Sequence, residues 1–317
     1  MRGFSNEFED FPDYIIKITK QIWEDRGLGS RMRDYYHPDV IVRMPGGIST
    51  GEPASTFATM GTLTQFPDRT LLGEDVIWCG DPDAGMLSSH RIRSTATHLG
   101  DGPFGPATGR KITSLAIADC YAKDNMISDE WLVRDNGGIL RQMGTDPRDW
   151  AAMQLEANPE FTVFAPDQDV DGPYMGQGND NPWGAKLADL LTRIQTAEFS
   201  IIPKEWDRAC VVEYAGSVRG HSHGAADAFW LGLRSSFPSA TFTCHHVMGR
   251  EDALLSPRAA VRWSMQGTHD GWGSFGAPTG ATVHVMGITH AEFGPWGLRR
   301  EITLFDETAV WVQILKG

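Results

Sequence analysis

The chain has 317 residues, 41% of them hydrophobic and 22% charged, a length that usually makes two domains with ample material for packed cores. Its net charge of −13 excludes a phosphate-gripping surface for nucleic acid and docking on anionic membranes, since both need basic residues. No apolar run approaches bilayer length, and the opening stretch MRGFSNEFEDFPDY lacks the apolar centre of a signal peptide. Four scattered cysteines (Cys79, Cys120, Cys210, Cys244) form no C-x-x-C pair, so reduced thiols in a cytoplasmic protein are expected.

In chain order, Ile15, Ile18 and Ile22 recur at helical spacing and predict an amphipathic helix. A short strand comes next in DVIVRMP, then a helix around EPASTFATMGTLTQF that stops at Pro67. Four β-patterned segments succeed it: LLGEDVIWCG, LSSHRIRSTATHL, RKITSLAIADCYAK and MISDEWLVRDN. DPRDWAAMQLEAN reads as a helix with Asp146 as N-cap, and the Pro-, Gly- and Asp-rich residues 159–183 read as an irregular connector. The order then repeats: a helix carrying Leu187, Leu190, Leu191 and Ile194, the strand ACVVEYA, the helix AADAFWLGLRSSF, and four more β segments.

The repetition is literal. Shifted by 171, residues 66–142 align with 237–313 without a gap, with 18 identities in 77 positions. They include Phe66-Pro67 with Phe237-Pro238, Arg91 with Arg262, His98 with His269, Glu130 with Glu301, and Asp135 with Asp306. The expectation is a tandem duplication, 1–158 and 159–317, each half α+β with helices leading an antiparallel sheet.

Gly100, Gly102 and Gly105 have the G-x-G-x-x-G spacing of a dinucleotide loop, repeated at Gly271, Gly273 and Gly276. That reading requires a helix directly afterwards, and Pro106, Gly109 and Pro278, Gly280 stand where it would begin. The glycines are expected instead to supply positive-φ turns between strands.

The assembled motif resembles the SnoaL-like polyketide cyclases of the nuclear transport factor 2-like (cystatin-like) superfamily. Its residues in the first copy are Thr97-His98, Gly100, Gly105, Thr108-Gly109-Arg110, Ile127, Glu130-Trp131, Asp135, Gly138 and Gln142. The second copy keeps His269, Gly276, Thr279-Gly280, Glu301 and Asp306 but has Ala281 for Arg110 and Ile302 for Trp131. The resemblance implies a curved, mainly antiparallel sheet around helices with an apolar pocket. It also implies cofactor-free ring closure with an Asp near the last strands as general acid/base. Asp135 matches that position and Asp306 is its repeat partner. Two fused domains would imitate the superfamily's homodimer, and a homodimer of the fused chain is also open.

Strand alternation places Trp131, Val133 and Asp135 on one face, with Glu130, Leu132 and Arg134 on the other. His98 falls with Ile92 and Ala96; His269 with Trp263 and Met265. The expectation is an acidic and an imidazole group together on the apolar side of each copy, Asp135 with His98 and Asp306 with His269. Trp131, Ile92, Trp263 and Met265 would contact substrate. A carboxylate there has its pKa raised by desolvation and suits proton transfer next to a carbonyl. The alternative is that each Asp caps the turn after its strand and each His is a core residue.

DQDVDG (Asp167, Asp169, Asp171) starts like a calcium loop, yet position twelve is Gly178 rather than Glu, and Pro166 precludes an entering helix. An acidic turn is the plainer reading. His221, His223, His245 and His246 lack the companions of a metal site, so no metal and no organic cofactor are expected. The functional expectation is acid/base chemistry (cyclisation, isomerisation, dehydration or hydrolysis) on a small, largely apolar carbonyl compound. The alternative is a non-catalytic small-molecule-binding or scaffold protein.

Overall fold

The computed structural model describes residues 1–317. They form two compact units, one of residues 1–134, 139–146 and 164–176, the other of residues 135–138, 147–163 and 177–317. The division is interleaved rather than a single cut, because the connector contributes to both units.

In the first unit, α1 (Phe11–Thr19) starts at Asp10, whose carboxylate accepts from Asp13 N at 2.8 Å and so satisfies a free helix-end donor. The helix buries Phe11, Tyr14, Ile15 and Ile18, then widens into a π-helical turn, Lys20–Glu24. After α2 (Ser30–Tyr35) come β1 (Tyr36–Met44), β2 (Gly47–Thr50), α3 (Glu52–Gln65), β3 (Thr70–Asp81), β4 (Gly85–Thr97), β5 (Lys111–Lys123), β6 (Met126–Arg134) and α4 (Asn136–Met143), whose residues 136–138 belong to the second unit. The connector helix is α5 (Pro147–Ala157). The second unit repeats the order with α6 (Pro182–Gln195), α7 (Ile202–Glu205), β7 (Trp206–Tyr214), β8 (Val218–His221), α8 (Ser222–Ser236), β9 (Thr241–Arg250), β10 (Arg258–Thr268), β11 (Thr282–Gly294), β12 (Gly297–Phe305) and α9 (Glu307–Lys316).

Both sheets have six strands in the same order, β2-β1-β6-β5-β4-β3 and β8-β7-β12-β11-β10-β9. All pairings are antiparallel except β1 with β6 and β7 with β12, which are parallel. The sheets are therefore mixed, and the α+β duplication read from the repeat holds. Each also carries a bulge at the same repeat position, Glu74 in β3 and His245 in β9, where the register skips one residue.

The register decides which residues share a face. Ser88, Cys120 and Glu130 form one row across β4, β5 and β6, and His90, Ala118 and Leu132 form the next on the same face. Cys120, Ala118 and Leu132 belong to the first unit's core with Ile15, Ile18, Ile22 and Tyr36. Arg91, Ile117 and Val133 form a row of the opposite face. In the second unit Trp263, Gly287 and Phe305 share a row, and Trp263, Phe305, Trp206 and Trp230 lie in its core.

The loops after β4 and β10 explain the glycines. A Cβ on Gly100 would come within 2.0 Å of Thr64 O, and one on Gly271 within 2.0 Å of Ser235 O. These two let the loop lie against the end of the preceding helix, whereas Gly105 and Gly276 adopt φ of +104° and +81°, as the turn reading expected. No helix of the chain is long and apolar enough to cross a membrane.

Candidate functional site

The two aspartates end their strands and anchor the adjoining turns. Asp135 Oδ1 accepts from Gly138 N (3.0 Å) and Gly216 N (2.7 Å), and Oδ2 from Ser217 N (2.8 Å) and Ser217 Oγ (3.1 Å). Asp306 caps α9: its Oδ1 takes Thr308 N at 2.9 Å and Thr308 Oγ1 at 2.6 Å, and Oδ2 takes Asn136 Nδ2 at 2.6 Å. Burial raises both carboxyls, Asp306 to about 6, while those donors pull the other way.

The two histidines also have local partners. His98 Nδ1 lies 3.2 Å from Thr108 Oγ1 and its ring 5.3 Å from Phe66; His269 repeats this with Thr279 at 3.2 Å and Phe237 at 5.6 Å. In both, Nε2 is buried without a hydrogen-bond partner, and burial lowers the pKa. The expected meeting of His with Asp on one wall does not occur on the strands that lead to them. Ile92, in the His98 series, shares a row with Ala116 and Arg134, so it lies on the Glu130 and Leu132 face, opposite Trp131 and Val133. Likewise Trp263 and Met265 share the face of Phe305, opposite Ile302 and Leu304. Alternation sets the faces within one strand, whereas register determines which faces of different strands coincide. Trp131 instead lies under the Arg43 guanidinium, 4.8 Å from its ring centroid.

The interior carboxylates are Glu130 and Glu301, which share a repeat position and are both raised by burial. Glu301 is saturated. It accepts from Trp206 Nε1 (2.8 Å), Tyr214 Oη (2.9 Å), Trp230 Nε1 (2.9 Å) and Thr303 Oγ1 (2.9 Å). Thr303 continues to Thr289 at 3.0 Å, and Trp263 Nε1 donates to Thr289 at 3.0 Å. Phe229 stacks on Tyr214 at 3.7 Å, and Phe242 lies 5.6 Å from Trp263. Three tryptophans and a polar chain thus fill the second interior. Glu130 accepts from Tyr36 Oη at 3.0 Å and bonds to Cys120. At the remaining equivalent positions the first copy has Thr59 for Trp230, Ile92 for Trp263, Leu132 for Thr303 and Ala118 for Thr289.

Of these four positions, Ile92 borders a cavity. A cavity of about 220 Å³ lies between α1, with its π-helical turn, and β3 and β4. Ile15, Thr19, Gly73, Val76 and Ile92 line it, His90 supplies a polar wall, and Lys20, Glu24 and Asp75 also border it. His90 is 6% exposed, its Nδ1 is 3.2 Å from Ser88 Oγ, and burial lowers its pKa to about 4, so its imidazole is neutral at pH 7. Glu24 Oε2 accepts from Leu71 N at 3.1 Å. In the second unit His90 is replaced by Val261, Leu71 by Phe242 and Gly73 by Cys244. A cavity of the second unit, about 280 Å³, lies between residues 177–180 and Cys244, His245 and Val247 of β9, and neither Trp263 nor Val261 borders it.

His90 escaped the sequence reading because its repeat partner is apolar. The identity of Glu130 with Glu301, on strands that are otherwise apolar, was a usable signal for the interior carboxylates. The acidic connector is tied to the first unit: Asp169 pairs with Arg43 Nε at 2.5 Å, and Arg43 also holds Asp129 and Val170 O. No group of three or more His, Cys, Asp and Glu side chains is arranged to hold a metal ion.

No family model matches the chain, and no curated protein matches it. Among solved structures, the similar ones include IdmH of Streptomyces antibioticus, a candidate polyketide cyclase. It has 22% identity and a TM-score of 0.38, and the match covers 43% of this chain and 100% of IdmH. AclR of Streptomyces galilaeus, a candidate hydroxylase, has 18% identity and a TM-score of 0.37, over 42% of this chain and 83% of AclR. A candidate SnoaL-like polyketide cyclase of Jannaschia sp. CCS1 has 11% identity and a TM-score of 0.35, over 41% of this chain and 91% of its own. The chain is thus similar in structure to SnoaL-like polyketide cyclases over about 42% of its length, and its two six-stranded sheets fit a tandem duplication.

Proposed function

We propose that the first unit carries out cofactor-free proton transfer on a small, largely apolar carbonyl compound, and that the second unit, with its filled interior, does not. The observation that supports this is a cavity bordered by one buried neutral imidazole, His90, and by a carboxylate, Glu24. With Ser88 Oγ donating to Nδ1, His90 Nε2 carries the proton and donates to the substrate carbonyl. Glu24 takes the proton from the adjacent carbon, the electron pair moves onto the carbonyl oxygen as an enolate held by the His90 hydrogen bond, and that carbon is reprotonated by Glu24, which has exchanged its proton with water. A neutral imidazole is a better donor to a developing oxyanion than to a ground-state carbonyl, which is what accelerates such a step.

Two assignments compete with this one. The raised carboxyls of Asp135 and Asp306, with His98 and His269 as orienting groups, make a base pair of the kind the family resemblance implies. Binding without turnover is favoured by the hydrogen bonds already held by Asp135, Asp306, Glu130 and Glu301.

Solvent-deuterium exchange into cyclohexanone, monitored by NMR, separates them. Catalysed exchange is expected, with His90→Gln slowing it by roughly 10²–10³-fold and Asp135→Asn leaving the rate per folded molecule unchanged. Loss of exchange in folded Asp135→Asn and Asp306→Asn, with His90→Gln unaffected, would hand the chemistry to the aspartates. Absence of any catalysed exchange, across a panel of enolisable ketones and aldehydes, would leave binding alone.

A further inference from the structure

We infer that the first unit's cavity is built for a molecule of single-ring size, and that Ile92 sets this limit. The inference rests on the first unit's being the ligand-bearing half, not on turnover. A cavity of 150 Å³ lined by apolar side chains takes benzene. The cavity here, about 220 Å³, holds such a ring with roughly three further heavy atoms. It falls below the ~300–1,000 Å³ of pockets for drug-sized ligands, so fused three- and four-ring molecules do not fit.

The chemical class comes from the wall. Ile15, Val76 and Ile92 offer only apolar contact; Thr19, Lys20, Glu24, Asp75 and Arg91 add polar groups, and on the strand wall beside Ile92 the His90 ring offers Nε2, because its Nδ1 already faces Ser88 Oγ. A polar group left unpaired once a ligand covers it costs about 1–3 kcal/mol, so the favoured ligand presents a hydrogen-bond acceptor to that atom. An aryl or cyclic ketone or aldehyde meets both conditions.

The duplicated half identifies the limiting residue. At the position of Ile92 the second unit has Trp263, which packs at 5.6 Å against Phe242, itself at the position of Leu71. In that half the space is occupied by protein. The π-helical turn is a second, independent sign: Lys20 and Glu24, at its two ends, both border the cavity, whereas α6 of the second unit is regular over 14 residues. Such turns are rare and occur frequently at functional sites.

The test is calorimetric titration of the whole chain with acetophenone and with 2-acetylanthracene, which share the carbonyl and differ in ring number. Acetophenone should saturate one site per chain and 2-acetylanthracene should not bind. Ile92→Trp should weaken acetophenone at least tenfold with an unchanged or higher Tm, since the indole enters existing space. Trp272→Ala, at an exposed position, should bind as the parent does. The inference is overturned if acetophenone shows no saturable binding, if folded Ile92→Trp binds it like the parent, or if 2-acetylanthracene binds equally well. Because titration is independent of deuterium exchange, saturable binding without exchange defeats only the catalytic proposal.

Discussion

The two halves descend from one pattern yet treat their interiors in opposite ways. Around Glu301 the second unit places Trp206, Tyr214, Trp230 and Thr303 as donors and closes the space with Trp263 and Phe242. Around Glu130 the first unit keeps Tyr36 and Cys120 and leaves Thr59, Ile92 and Leu71 where the bulk would be. The same topology therefore fills the space around Trp263 in the second unit and leaves a cavity beside Ile92 in the first. The dispersion contacts made by Trp263 and Phe242 in the second unit have no counterpart at Ile92 and Leu71 in the first.

The contrast is sharpest in core truncations. Trp230→Ala should cost about 3–5 kcal/mol, since it removes a fully buried indole and one of the four donors to Glu301. Thr59→Ala, at the equivalent position, loses a hydroxyl bonded to Ser55 O at 2.9 Å and should cost at most about 1 kcal/mol. Chemical denaturation of the two variants reads the difference, and equal losses would mean the halves are packed alike.

Titration of the two halves should pull in opposite directions. His90 is held at about 4 against an ordinary 6.5, so its contribution is present above pH 6.5 and is lost as pH falls toward 4. Asp306 is held at about 6 against an ordinary 3.8, so its contribution is full below pH 3.8 and is lost as pH rises through 6. At 1.36 kcal/mol per pH unit each amounts to on the order of 3 kcal/mol. Relative to the parent, His90→Gln should lose less stability between pH 6.5 and 4, and Asp306→Asn should gain less on acidification from 6 to 4. Thermal melts over that range check both slopes, and unchanged slopes would argue that the two groups are better solvated than the burial indicates.

A smaller effect is expected from Asp135→Asn. The amide can keep Gly138 N and Gly216 N on its oxygen but turns an N–H toward Ser217 N, so about 1–3 kcal/mol of stability should go. A variant as stable as the parent would mean that Asp135 does not tie down its strand end, and would reopen its case as a base.

Much of the architecture was legible in the chain: the fixed offset of 171, the four closing strands of each copy, and the turn glycines Gly105 and Gly276 all correspond to structure. The reading of Gly100 and Gly271 was incomplete, since close approach to a helix end is invisible in one dimension. The π-helical turn and the bulges at Glu74 and His245 left no trace in periodicity. For the site, Ile92 was picked out and borders the cavity, but His90, Glu24 and Tyr36 were not.

Local repeat spacing and strand alternation are properties of neighbouring residues, and so duplication, element order and the faces within each strand are set by the amino-acid order alone. Which face of β6 coincides with which face of β4, and hence whether Glu130 or Asp135 stands with the His98 series, depends on hydrogen-bond register between segments tens of residues apart. Whether an interior is full depends in turn on summed side-chain volume across that register. Those two decisions, made only when the sheets assemble, separate an interior closed by Trp263 from one that keeps a cavity beside Ile92.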